Sequence, residues 1–163
     1  MASSPSSDTQ QLLAQGTTAY AAWVVSQTQE MQTAVNSLQA AVDAGDLEQA
    51  KQAYAHARPF YEKIESDVDG FVMPGFAPDD NLGNLDYLID MRASNVDDAV
   101  GWSGFHAVER DLFQAGAITD QTKTYASDLK TNVDKLVDVT KSLEYKPEDL
   151  ANGAADLLSL IHI

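Results

Sequence analysis

Two short runs carry residue types that hold cations or protons. The first is Tyr61-Glu62-Lys63-Ile64-Glu65. Glu62 and Glu65 are three apart, so on a continuous helix their carboxylates share one face. Like charges that close repel each other unless a cation or a proton is shared. A plain solvated acidic face has the same spacing, so this pair alone does not decide between the two. The second run is Trp102-Ser103-Gly104-Phe105-His106-Ala107-Val108-Glu109. His106 and Glu109 are again three apart on a predicted helix, where an imidazole nitrogen and a carboxylate can chelate one ion. A half-buried histidine hydrogen-bonded to Glu109 satisfies that spacing equally well. Asp90 lies between the runs and can add a carboxylate, or form a salt bridge to Arg92 or Arg110. If these elements face one interior, an oxygen-rich set with one nitrogen results. Such a set suits iron, manganese or zinc better than a soft metal.

The remaining candidates are weaker. His56 lies six residues before Glu62, off its face, and reads as a surface or core histidine. His162 is in the tail, Trp23 and Trp102 read as packing residues, and Asp97-Asp98 as a helix-start or surface pair. The sequence contains no H-E-x-x-H, no G-x-S-x-G and no phosphate-cradling glycine loop, so no catalytic residue is assigned.

The elements that must position these side chains are helices. Asp8 and Gln11 have capping-box spacing. Tyr20, Val24, Met31, Val35, Leu38 and Val42 then recur as one stripe of a long amphipathic helix, which Gly45-Asp46 ends. Asp46 and Gln49 repeat the cap, and a second helix is expected over 47–68, kinked at Pro59 just before Tyr61-Glu62. Residues 70–84 are rich in Gly, Pro and Asn and read as a loop. Short helices are expected over about 85–93 and 103–114. Thr119 caps a long helix over about 120–143, and Pro147 opens a last one. No period-two segment competes, so the fold class expected is all-α, an antiparallel helical bundle. Residues 1–7 read as a disordered lead-in and 8–163 as one domain.

Composition narrows the partners. The 163 residues carry 25 acidic and 10 basic side chains, a formal net charge of -15. That disfavours nucleic acid and anionic membrane surfaces, and raises the local concentration of cations. There is no cysteine, so thiolate metal sites, disulfides and thiol nucleophiles are excluded. No run approaches the roughly 18 apolar residues of a membrane span, so direct membrane insertion is not expected. The first residues show neither the basic start nor the apolar core of a secretory signal.

The ordered set Ala57-Arg58-x-x-Tyr61-Glu62-x-Ile64-Glu65, Leu85-Asp86-x-x-Ile89-Asp90-x-Arg92 and Gly104-Phe105-His106-x-x-Glu109 resembles the imelysin-like family. Together with Lys146-Pro147-Glu148-Asp149-Leu150-Ala151-Asn152-Gly153-Ala154, it is most similar to the EfeO branch, the exported component of a bacterial iron-uptake system. The resemblance covers most of residues 10–158. It implies a helical bundle in the periplasm or cell envelope that binds iron, as Fe2+ or Fe3+, with zinc as the alternative ion. It further implies delivery to a membrane iron permease, alongside a peroxidase-like partner of the same system. By residue match it places metal ligands at Glu62, Glu65 and Asp90, with His106 and Glu109 at the signature motif, either in one cage or as a neighbouring second site.

The family is also catalogued as metallopeptidase-like. The sequence lacks the second histidine of a zinc-protease helix, so a non-enzymatic role is expected. The alternatives are a metal-dependent enzyme and an envelope module that binds a polymer without metal. The cupredoxin-like domain that some EfeO proteins carry ahead of the bundle is expected to be absent. The family pattern continues past Leu157-Leu158, so the domain is expected to be incomplete at its C-terminus, short of one further carboxylate.

Overall fold

The computed structural model describes residues 7–142. The lead-in before Ser7, the helix expected after Pro147, and His162 lie outside the described residues. Helix α1 spans Ser7–Asp43, and the stripe read from the sequence is its buried face. It begins one residue before Asp8, which sits in the first turn, where a carboxylate favours the helix dipole. At the other end Gly45 N–H donates to Val42 C=O (2.9 Å) and Asp46 N–H to Ala41 C=O (3.1 Å), the paired closure of a Schellman motif. Asp46 then caps α2 (Leu47–Glu62) by accepting from Gln49 N–H at 3.1 Å. A connection this short makes α1 and α2 antiparallel neighbours.

The second helix departs from expectation. It stops at Glu62, where Ile64 N–H closes onto Tyr61 C=O at 2.9 Å, and α3 (Glu65–Val68) begins afresh. The interruption falls at Lys63-Ile64, beyond Pro59. Tyr61, Ile64 and Val68 are fully buried on both sides of it. Their helical spacing persists across the break, so periodicity alone passes over it.

The glycine- and proline-rich loop folds back on itself. Met73 N–H donates to Gly83 C=O (2.8 Å) and Leu85 N–H to Phe71 C=O (3.0 Å). Among the described residues the isolated Val72–Asn84 bridge is the one extended pairing, and no strand forms. Asn84 caps α4 (Leu85–Asp90), which is three residues shorter than expected and ends at Asp90. A 3-10 turn follows at Ala93–Asn95. The tyrosine hydroxyl of Tyr87 ties this connection down, accepting from Asp97 N–H and donating to Gly101 C=O, both at 2.8 Å.

Helix α5 covers Gly104–Glu109 and widens into a π-helical turn over Arg110–Ala115, where a uniform α-helix was expected. The wider turn buries Leu112 and leaves Phe113 exposed beside Tyr54. Helix α6 (Asp120–Lys141) returns along α1. Thr28 meets Thr140 at 3.2 Å and Gln32 donates to Asp134 at 2.8 Å, a pairing order that makes the two helices antiparallel. The core between α1, α2 and α6 is built from Leu38, Tyr61, Ile64, Phe105, Leu129 and Leu136, all without exposed surface. The molecule is therefore an all-α bundle, as the sequence pattern requires.

Thr119 caps α6 as expected, and its side chain and that of Thr122 exchange bonds with each other's backbone N–H in a full capping box. Thr119→Ala is expected to cost about 1 kcal/mol in urea unfolding, while Thr119→Ser stays near the parent value.

Candidate metal centre

The site forms where one face of α2 meets the end of α4 and the start of α5. Tyr54, Arg58, Tyr61 and Glu62 occupy successive turns of α2, the spacing that places them on one side. Helix α5 docks onto α4 through two contacts. Ser103 Oγ donates to Leu88 C=O at 2.7 Å. Gly104, at φ +76°, brings its backbone so close to Ile89 that a Cβ there would stand 2.1 Å from the Ile89 carbonyl oxygen. This approach sets His106 beside Asp90.

Asp90 is the centre of the arrangement, its side chain 2% exposed. It forms an ion pair with Arg58 and lies 3.2 Å from His106 Nε2. The expected partners, Arg92 and Arg110, are engaged elsewhere. Arg92 pairs with Glu65 at 2.7 Å, and Arg110 lies 3.4 Å from Asp111. The other nitrogen of His106, Nδ1, is 2.9 Å from Glu109 Oε2, which also accepts from the Tyr54 hydroxyl at 2.9 Å. An imidazole with a carboxylate at each nitrogen can donate to both only as imidazolium. An entering cation would take the place of one of those protons.

Burial and the neighbouring Glu109 carboxylate push the Tyr54 hydroxyl well above the usual phenol range. Burial and Asp86, which accepts from its hydroxyl, do the same to Tyr61. Both phenols are therefore fixed proton donors at neutral pH. Burial opposes the charge on Arg58, but its hydrogen bond and attraction to Asp90 outweigh that and raise its pKa.

The five residues singled out in the sequence are divided between two adjoining clefts. Glu62, Glu65 and Asp90 line the first, of about 990 Å³, together with Asp69 and Asp86. His106 and Glu109 line the second, of about 490 Å³. Arg58 and Arg92 border both. Glu62 and Glu65 fall on either side of the break after α2 rather than on one helix. Glu62, 57% exposed, reaches Arg58 at 3.5 Å, while Glu65 is held by Arg92. Asp90, His106 and Glu109 are thus joined in one chain, Glu62 is attached to it through Arg58, and Glu65 stands apart. Among the described residues no three such side chains form, as they stand, a group able to hold a metal ion. His56 is exposed, edge-on to Phe60, and away from both clefts.

Sequence reasoning missed Arg58 as the partner of Asp90. Its position four residues before Glu62 on one helix was the available signal. It also missed Tyr54 and Asp86. Trp102, read as packing, instead lies under the guanidinium of Arg110, 4.2 Å from ring centre to Arg110 Cζ, at the wall of the second cleft.

The profile of the imelysin family matches residues 16–160. The iron uptake system component EfeM of Bacillus subtilis is 34% identical over 116 residues, 71% of this chain and 27% of that protein. The iron uptake system component EfeO of Escherichia coli K12 is 32% identical over 144 residues, 86% of this chain and 35% of that protein. An EfeM/EfeO family lipoprotein of Staphylococcus aureus is 29% identical over 150 residues, 90% of this chain and 49% of that protein. The chain thus spans between about a quarter and a half of the length of these relatives. With its all-α bundle, its ordered acidic and histidine motifs and a profile match over most of its length, the chain belongs to the imelysin family, in the branch of EfeO and EfeM.

Proposed function

We propose that this domain captures iron as cargo in the cell envelope and passes it to a membrane permease, without bond-breaking chemistry of its own. The observation that carries the reading is Asp90, a buried carboxylate shared by Arg58 and His106 on the wall of an acidic cleft. Glu62, Glu65 and Asp90 would hold the ion in the first cleft. His106 and Glu109 would form the adjoining second set. In the described state each carboxylate of the two sets already has a cation or proton donor as partner, so Arg58 and Arg92 act as internal counter-ions that an entering metal displaces. The excess of carboxylates attracts cations to the cleft mouth.

Relatives named as iron uptake components support the choice of iron, with zinc as a competitor. The relative named as a lipoprotein supports an envelope location. The word component in the relatives' names supports a multi-protein system, in which a permease and a peroxidase-like protein are the proposed partners.

The test uses chelator-stripped protein titrated with Fe(II) without oxygen, with Fe(III), and with Zn(II), read by bound metal and by thermal midpoint. Iron is expected to bind in a fixed ratio and to raise the midpoint. Glu62→Gln and His106→Ala are each expected to weaken binding by roughly tenfold or more. Iron retention no greater in the parent than in the double variant Glu62→Ala, His106→Ala would overturn the reading.

A further inference from the structure

The whole chain has three arginines, Arg58, Arg92 and Arg110, and all three line the second cleft. This is unexpected in a protein of net charge -15. Six of its seven lysines fall among the described residues and could have supplied positive charge there, yet none of these six lines this cleft. Trp102, His106 and Gln114 complete much of the wall. A volume of about 490 Å³ lies within the range of small-molecule sites, about 300–1,000 Å³.

The guanidinium groups keep donor capacity. Each carries five N–H donors in a planar fork. Arg110 uses its flat face against Trp102, which leaves the in-plane N–H groups for acceptors. Its contacts to Asp111 and to the Tyr125 hydroxyl are both 3.4 Å, long beside the about 2.7–2.9 Å of a charge-assisted bond. Arg92 places one nitrogen on Glu65, and its side chain is 60% exposed. The one carboxylate on the wall among the described residues, Glu109, is already hydrogen-bonded through Oε2 to Tyr54 and His106.

We propose that this cleft is an anion site, holding a small oxyanion between the forks of Arg92 and Arg110 with Trp102 as its flat wall. Carboxylates and phosphates share the required chemistry, because both offer paired oxygens that match a guanidinium fork. The ligand has to be recognised locally, since the field of the whole molecule repels anions. Arg58 connects this site to the acidic cleft. An anion that engages Arg58 loosens its hold on Asp90. The anion site itself does not depend on the iron reading.

The full chain, stripped of metal, is titrated calorimetrically with inorganic phosphate and separately with citrate, with sodium chloride at matched ionic strength as the control. One of the two anions is expected to bind saturably at one site, with chloride silent. Phosphate binding identifies a phosphate-type ligand and citrate binding a carboxylate-type one. Arg110→Gln is expected to weaken that binding roughly tenfold or more, the loss of a charge-assisted fork. Gln114→Glu, at an exposed position that adds a negative charge and removes no guanidinium, is expected to weaken it in the same direction. This second variant keeps the test decisive if Arg110→Gln fails to fold. Absence of saturable binding by both anions, or unchanged affinity in the variants, overturns the proposal.

Discussion

Arg58→Ala is expected to destabilise the domain by about 3–5 kcal/mol, the cost of leaving a buried charge without its partner. Asp90 is 2% exposed and Arg58 is mostly covered, so neither can recover its lost interaction from water. His106 alone, at 3.2 Å from Asp90, is a weaker replacement for a guanidinium. Arg58 also packs against Tyr61 and Phe105, so truncation removes apolar contact as well. The double variant Arg58→Met, Asp90→Leu replaces the ion pair with apolar side chains and is expected to recover most of the loss. Urea unfolding of the three proteins followed by circular dichroism reads the comparison. A single-variant cost below about 1 kcal/mol would mean that the pair behaves as a surface salt bridge. Under the proposed function Arg58→Ala also frees Asp90, so the folded fraction is expected to bind iron more tightly than the parent.

The second large effect is expected at Gly104. Its left-handed φ of +76° costs any other residue about 1–3 kcal/mol. The added Cβ of Gly104→Ala would also meet the Ile89 carbonyl at 2.1 Å, a backbone atom that cannot rotate away. Gly101→Ala isolates the first of these terms, since Gly101 has φ +82° and open space around its Cβ position. Gly104→Ala is therefore expected to lose clearly more stability than Gly101→Ala. It should also push α5 off α4 and separate His106 from Asp90. The thermal midpoints of both variants and the nitrogen chemical shifts of His106 test this. Equal losses at the two glycines would mean that the α4–α5 approach is not rigid.

Much of this architecture was legible from spacing alone. The stripes of α1 and α6, the caps at Asp46 and Thr119, and the shared face of His106 and Glu109 all rest on contacts within one turn. Such contacts depend on the residue types a few positions apart, and the sequence states those directly. The His106–Glu109 pair is a case in point: three residues of separation were enough to place the two side chains 2.9 Å apart. The family motifs likewise lie on the chain in readable order.

The features that escaped are those in which local pattern and tertiary packing disagree. The apolar period of Tyr61, Ile64 and Val68 continues through the end of α2, because the core asks for burial and not for an unbroken helix. The π turn at Arg110–Ala115 likewise leaves no mark in the periodicity that predicted an ordinary helix. The partner of Asp90 was sought among the nearby Arg92 and Arg110, yet Arg58, 32 residues earlier, holds it. That choice depends on where a folded loop and the Gly104–Ile89 contact set α4 against α2 and α5.

The amino-acid sequence by itself determined an acidic all-α bundle, its family, and the shared helix of His106 and Glu109. Only the tertiary structure decided how they are shared out: Asp90 buried under Arg58, Glu65 drawn to Arg92, and all three arginines gathered beside His106. The physical reason is one of range. Helical spacing acts over three or four residues, whereas ion pairs are selected by the packing of elements distant in the chain.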